Sequence, residues 1–141
     1  MSAVRVLMIV GSSRGGAAVH VRDLIHGLPS ERYAVRVAMP ADDGDVAAAA
    51  LEGAGAAVDS VPLEGGCSPG AWCALRRLGR GADILHVHGA RAAFYGRTAV
   101  ATLRGARPAV VYTVHAFAAP HYGRLRSAAL LGIERRLEPY T

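Results

Sequence analysis

The sequence has 141 residues, 52% of them hydrophobic, and a formal net charge of +5. A chain of this length and apolar content can bury the core of one domain, which excludes a disordered protein. No uninterrupted apolar run reaches about 18 residues, so the sequence predicts no membrane-spanning helix. The apolar part of the opening segment is also too short for a signal peptide, and no small-residue cleavage site follows it.

All sixteen basic residues are arginines, and they are dispersed along the chain. Because no helix-turn-helix, zinc or aromatic-platform pattern accompanies them, the sequence argues against nucleic acid as a partner. Cys67 and Cys73 fit neither a zinc pair nor a redox motif, since five residues separate them. Free thiols in a chain without an export signal predict a reducing compartment, the cytoplasm.

Strand and helix patterns alternate along the whole chain. Near-continuous apolar runs predict buried strands, and apolar residues at helical spacing predict the helices between them. The predicted strands are residues 4–10, 33–39, 57–61, 83–87 and 109–114, and the predicted helices are residues 17–28, 45–53, 71–78, 92–103 and 125–140.

This alternation predicts an α/β fold: a single Rossmann-like, doubly wound domain over residues 1–141. We expect a mostly parallel sheet of about five to six strands with helices on both faces. The small and apolar face of the fourth helix should pack closely on the sheet. No strand pattern follows the last helix, whereas a complete doubly wound domain is expected to have one.

Three unusual segments follow predicted strands, and ligands of an open parallel sheet bind at the carboxyl ends of its strands. The segments are Gly11–Gly16 (GSSRGG), His88–Arg91 (HGAR) and His115–Phe117 (HAF). They are distant in sequence, but the rule brings them to one edge of the sheet. The sequence therefore predicts the ligand site at this edge.

The first of these segments is a glycine loop in front of a helix, and its backbone N–H groups could bind an anion. It matches neither GxGxxG nor the GK[ST] ending of a P-loop, and a tight turn that needs glycine explains it as well. Arg14 has two interpretations, a phosphate contact or a solvated loop residue.

The histidines near these ends each have a functional and a structural interpretation. His86 and His88 share one face of a strand, where Asp83 and His115 could complete a metal site. The simpler interpretation places His86 in the core and His88 at the lip of the cleft. His115 could hydrogen-bond a sugar hydroxyl or transfer a proton, or merely cap a loop. His20, on the first helix, is close enough to the glycine loop to reach the cleft.

Taken together, these segments resemble the N-terminal domain of family-4 glycosyltransferases of the two-Rossmann-domain (GT-B) type. The matching pieces are GSSRGGAAVHVRDLIHGL, ADILHVHGARAAFYG, VVYTVHAF and RSAALLGIERRLEPYT. They follow the order and spacing of the family and cover essentially the whole chain.

The resemblance implies a retaining transferase that takes sugar from a nucleotide-sugar donor and needs neither metal nor cofactor. This domain would hold the acceptor, a sugar, a lipid or another small molecule. His115 matches the family's residue beside the reacting sugar. Gly15 and Gly16 match its loop glycines, and His88 and Gly89 match the cleft-lining segment; with Arg14 and His20 they form the predicted substrate site.

The family's donor-binding domain, with its basic pair and E-x7-E element, has no counterpart here. We therefore expect this polypeptide alone to be inactive. Two other interpretations stay open: a flavodoxin-like FMN reductase, suggested by GSSR, and a non-catalytic Rossmann-like binding module at the inner face of the plasma membrane. The arginines that could support the membrane contact are Arg76, Arg77, Arg80, Arg104 and Arg107.

Overall fold

The computed structural model describes residues 2–41, 46–64, 67–115 and 123–141. Their strands form one five-stranded, all-parallel sheet in the order β3-β2-β1-β4-β5. The strands are β1 Val4–Val10, β2 Tyr33–Met39, β3 Ala57–Ser60, β4 Ile84–His88 and β5 Ala109–Thr113. The helices are α1 Gly16–Gly27, α2 Val46–Gly53, α3 Pro69–Gly79, α4 Gly89–Ala101 and α5 Arg124–Leu137, followed by a 3-10 turn Glu138–Tyr140.

The predicted α/β class and the parallel, doubly wound sheet are confirmed. All five strands and all five helices form where the patterns predicted them, within a few residues at each end. The largest shifts are three residues: α4 begins three residues early, at Gly89, and α5 ends three residues early, at Leu137. The third helix, α3, begins two residues early because Ser68 caps it and Pro69 fits its first turn.

Helices cover both faces of the sheet, and alternate residues of each strand supply the two cores. One core is built on Val6, Met8 and Val10 of β1 and contains Val21 and Ile25 of α1. The other contains Leu7 and Ile9 of β1 with buried residues of α3 and α4. This alternation is the two-residue period of a strand, which sends successive side chains to opposite faces.

The closest helix–sheet packing lies between α4 and the two central strands. A Cβ atom on Gly96 would lie 2.6 Å from Cγ1 of Val87 and 3.1 Å from Cδ1 of Ile9. The small-residue face predicted for this helix is therefore confirmed, and all its members are buried: Ala92, Gly96, Ala99, Val100 and Leu103.

The apolar residues whose helical spacing predicted α5 are exposed along most of the helix. Leu125 is 87% exposed and Ile133 is 39% exposed, whereas Leu137 is buried. A salt bridge of 2.5 Å between Arg97 and Glu134 joins this helix to α4 instead. Helical spacing identified the helix, but it could not tell which residues of α5 the sheet layer would cover.

Within the described ranges, no helix combines the length and hydropathy needed to cross a bilayer. Cys67 and Cys73 are both free and exposed, in agreement with the prediction of free thiols.

Candidate ligand site at the carboxyl edge of the sheet

The strand order places a crevice between β1 and β4. Connections leave β1 toward β2 and β3 on one side, and β4 and β5 lie on the other. Such a reversal of strand order is where open α/β sheets bind ligands. The glycine loop follows β1, and His88 is the last residue of β4, directly paired with Val10. The edge predicted from sequence is therefore the edge that contains this switch point.

The glycine loop turns β1 into α1 through a conformation that favours glycine. Gly15 is the residue before the helix and has φ +87°, in the left-handed region. No side chain among the described residues caps the helix, and its first turn contains no acidic residue. Gly16 begins the helix, so the N–H groups of this turn and the positive end of the helix dipole favour an anion.

Two further contacts shape this loop. The hydroxyl of Ser12 accepts a hydrogen bond of 3.2 Å from the backbone N–H of Arg14. Arg14 itself is exposed. A Cβ on Gly11 would lie 3.3 Å from Cβ of Arg91, so the loop passes close to the first turn of α4. Gly89, which opens α4, also has a left-handed φ of +82°.

Four histidines from three parts of the chain meet beside this loop. This histidine cluster consists of His20 on α1, His86 and His88 on β4, and His115 after β5. Nδ1 of His88 lies 3.2 Å from Nε2 of His115. The ring of His20 stands edge-on to both, with centroids 5.8 Å and 5.4 Å away.

His88 is the most buried member of the cluster, with 2% of its surface exposed. Burial, followed by the neighbouring charges of His86, His115 and His20, lowers its pKa to about 3. Its Nε2 atom is buried and has no hydrogen-bond partner among the described residues. His88 is therefore neutral at ordinary pH.

The burial of the two histidines of β4 is the reverse of what the sequence suggested. His88 is in the core rather than at the lip of a cleft, while His86 is only partly buried. His86 is hydrogen-bonded, as expected: its Nε2 lies 2.7 Å from Oγ1 of Thr113. The ring of His88 lies among three other imidazoles: its centroid is 4.0 Å from that of His86, 5.5 Å from that of His115 and 5.8 Å from that of His20.

The structure thus gathers most of the residues predicted from sequence. His20, His88 and His115 are in mutual contact, and Gly15 and Gly16 lie at the same edge. Arg14 and His115 are exposed there, whereas Ala116 and Phe117 lie outside the described residues.

Sequence reasoning missed Thr113, which contacts His86. Its only signal was its place on β5, two residues before His115 and in register with His88.

A cavity of about 250 Å³ opens at the opposite, amino-terminal edge of the sheet. Its lining is mainly apolar, and its two arginines, Arg5 and Arg36, already pair with Asp83 and Asp59. Those charges are therefore matched within the protein, which favours the carboxyl edge as the ligand site. In the part of the chain that the structure describes, no group of three or more His, Cys, Asp or Glu residues has the arrangement of a metal site.

Known structures share this architecture. HepE from Anabaena, solved with UDP and glucose, superposes with a TM-score of 0.72 at 19% identity, over 94% of this chain and 36% of HepE. HepE solved with UDP-glucose gives a TM-score of 0.72 at 18% identity, over 94% of this chain and 35% of that one. A short-chain dehydrogenase/reductase from Serratia marcescens gives a TM-score of 0.57 at 20% identity, over 98% of this chain and 70% of that one.

These likenesses define an α/β, Rossmann-like domain, and the chain spans about a third of the length of HepE. Among curated protein sequences, none matches it. The model of Glycosyltransferase Family 4 matches residues 14–141, from the glycine loop to the last residue. The chain belongs to this family, as its resemblance predicted.

Proposed function

We propose that this domain is the acceptor-side, N-terminal domain of a retaining glycosyltransferase that uses a nucleotide-sugar donor. The observation that carries the proposal is the meeting of His20, His88 and His115 beside the glycine loop, at the switch point of a family-4 domain. The HepE structures contain UDP, glucose and UDP-glucose, which favours a UDP-sugar as the donor.

In this proposal the glycine loop approaches the donor diphosphate. The N–H groups at the start of α1, behind Gly15 and Gly16, supply the positive end of a helix dipole without an acidic residue to oppose it. Arg14 adds a guanidinium that suits phosphate oxygens. Gly89 and the start of α4 form the neighbouring wall.

His115 is proposed as the residue that contacts the donor sugar. Its exposed imidazole can hydrogen-bond a sugar hydroxyl, and this contact strengthens as positive charge develops at the anomeric carbon. The leaving phosphate, rather than His115, would take the proton of the acceptor hydroxyl. His20 lies edge-on to His115 and would border the same pocket. We place the protein in the cytoplasm, where nucleotide sugars are made.

The basic surface has a structural role as well as the membrane role considered from sequence. Arg76 donates to the carbonyl of Thr102, and Arg107 donates to the carbonyls of Ala101 and Leu103. These carbonyls lie at the C-terminal end of α4 and just after it, where a positive charge is favourable. Both arginines thus stabilise a helix end, and this weakens the argument for a membrane-binding module.

A ligand titration of this chain, followed by backbone NMR resonances, tests the proposal. UDP-glucose should shift resonances of the glycine loop, Gly89 and His115. The dissociation constant should be in the millimolar range or weaker, where 1 mM corresponds to about 4 kcal/mol, because a contact to one diphosphate leaves little to offset the entropy lost on association. FMN and NAD are the comparison ligands, and neither should bind more tightly than UDP-glucose or shift His115.

Three results would contradict the proposal. Yellow, FMN-bound protein would support the reductase, and tight NAD binding would support a dehydrogenase. Micromolar binding of UDP-glucose would mean that the donor site lies in this domain. The transfer itself is tested on the polypeptide that combines this domain with a donor-binding domain, with the anomeric configuration of the product read by NMR.

A further inference from the structure

The hydrogen bond between His88 and His115 can form in two directions, because either ring can be the donor. A hydrogen bond of 3.2 Å between two neutral imidazoles contains one proton, which belongs either to Nδ1 of His88 or to Nε2 of His115. The choice fixes the tautomer of both rings, since each neutral ring has only one N–H. It therefore also fixes whether the remaining ring nitrogen of His115 is a donor or an acceptor.

The surroundings of His88 distinguish the two arrangements. If His115 donated, His88 would have its proton on Nε2, which is buried and has no partner among the residues that the structure describes. Buried N–H groups without an acceptor are rare in proteins. If His88 donates from Nδ1, that buried Nε2 atom is a bare nitrogen, and the other N–H of the pair is on His115, an exposed residue.

His88 is not needed for another local task. It is the residue that precedes α4, yet its side chain makes no capping hydrogen bond to the helix. Gly89 makes the turn instead, through its left-handed backbone. The buried ring of His88 is thus directed to His115 rather than to the backbone of its own helix.

We propose that His88 is a positioning residue that holds His115 in the Nδ1–H tautomer, so that His115 presents an N–H donor at the carboxyl edge of the sheet. Free histidine in water prefers the opposite tautomer, with the proton on Nε2. The use of this N–H for a sugar hydroxyl rests on the proposed function. The tautomer itself rests only on the contact and on the burial of His88.

The tautomer can be measured on this chain without any ligand. Histidine is labelled with ¹⁵N, and ring proton–nitrogen correlation spectra are recorded at pH 8, where histidine is neutral by its ordinary pKa of about 6.5. His115→Gln assigns the His115 ring. We expect protonated Nδ1 and bare Nε2 in both His115 and His88. An Nε2–H tautomer of His115 in the unsubstituted chain would overturn the proposal.

Two substitutions separate positioning from packing. His88→Asn keeps an N–H donor near the position of Nδ1 and should leave His115 in the Nδ1–H tautomer. His88→Leu removes the donor, and the His115 nitrogen resonances should exchange to the Nε2–H pattern. A folded His88→Leu chain with unchanged His115 resonances would contradict the proposal. If that variant does not fold, the ring spectra of the unsubstituted chain and of His88→Asn still test the proposal.

The control is His26→Leu, which removes an exposed histidine of α1 and should leave the His115 ring unchanged. A failed UDP-glucose titration together with the expected tautomer would count against the proposed function alone. The opposite pair of results would count against the role of His88 alone.

Discussion

Arg97 on α4 donates a hydrogen bond of 2.5 Å to Oε2 of Glu134 on α5. The arginine is 2% exposed, whereas the side chain of the glutamate is 37% exposed. The guanidinium also lies 4.9 Å from the ring centre of Tyr112, and its Nε donates to the carbonyl of Ala93. Glu134 is the acidic partner in this buried arrangement, and it holds the last helix in place.

Glu134→Gln should lower the free energy of unfolding by about 2 kcal/mol. Removing one partner of a fully buried ion pair costs about 3–5 kcal/mol. The cost is smaller here because residue 134 is partly exposed, so water can solvate part of the Arg97 charge that would be left unpaired. The measurement is urea unfolding followed by circular dichroism. Glu138→Gln is the control, since this exposed glutamate directly follows α5, and it should change stability by less than about 0.5 kcal/mol. Equal effects of the two substitutions would show that the pair does not stabilise the fold.

Gly96→Ala should destabilise the protein by about 1–3 kcal/mol although alanine is the better helix former. The new methyl group would lie 2.6 Å from Cγ1 of Val87, a fully buried and β-branched side chain that cannot rotate away. Gly132→Ala is the matched control in the middle of α5, where a Cβ meets nothing within 4 Å. The control should gain up to about 1 kcal/mol, and a stabilised Gly96→Ala variant would refute the close packing of α4.

The buried histidine predicts a loss of stability in mild acid. The pKa of His88 falls from 6.5 to about 3 on folding, mainly through burial. Between these pH values the unfolded chain binds a proton that the folded chain does not, so the free energy of unfolding decreases as the pH falls. Burial lowers the pKa of His86 in the same direction. Asp83, whose pKa is lowered from 3.8 to about 2, loses its contribution only below about pH 4.

Urea unfolding at pH 7.5 and pH 5.0 checks this expectation, with a loss of about 1–2 kcal/mol attributable to His88. His88→Asn should reduce the difference between the two pH values. His26→Asn, at an exposed position on α1, should leave the difference unchanged. Stability that stays constant between these pH values would mean that His88 is protonated in the folded chain.

Sequence patterns predicted the sheet almost residue by residue, because apolar runs such as Val4–Val10 are required wherever a parallel strand is covered on both faces. They also predicted that the glycine loop, His88 and His115 meet at one edge of the sheet, since the carboxyl ends of parallel strands share one edge. The burial of His88 and His86 was assigned in reverse. The two residues have the same strand face and the same chemistry, and their tertiary contacts distinguish them: His88 meets His115 and His20, whereas His86 meets Thr113.

The proposed function predicts that His115→Ala reduces turnover about 10²-fold in a polypeptide that combines this domain with a donor-binding domain. The loss corresponds to one positioned contact that strengthens in the transition state. The fold should survive, because the side chain is exposed and, among the described residues, its removal leaves one hydrogen bond unmade, that to His88, at a cost of about 1 kcal/mol. The measurements are kcat and the melting temperature of both proteins, with His26→Ala as the control for removing a histidine. Unchanged turnover would leave His115 with a structural role, and a large drop in melting temperature would place it in the core.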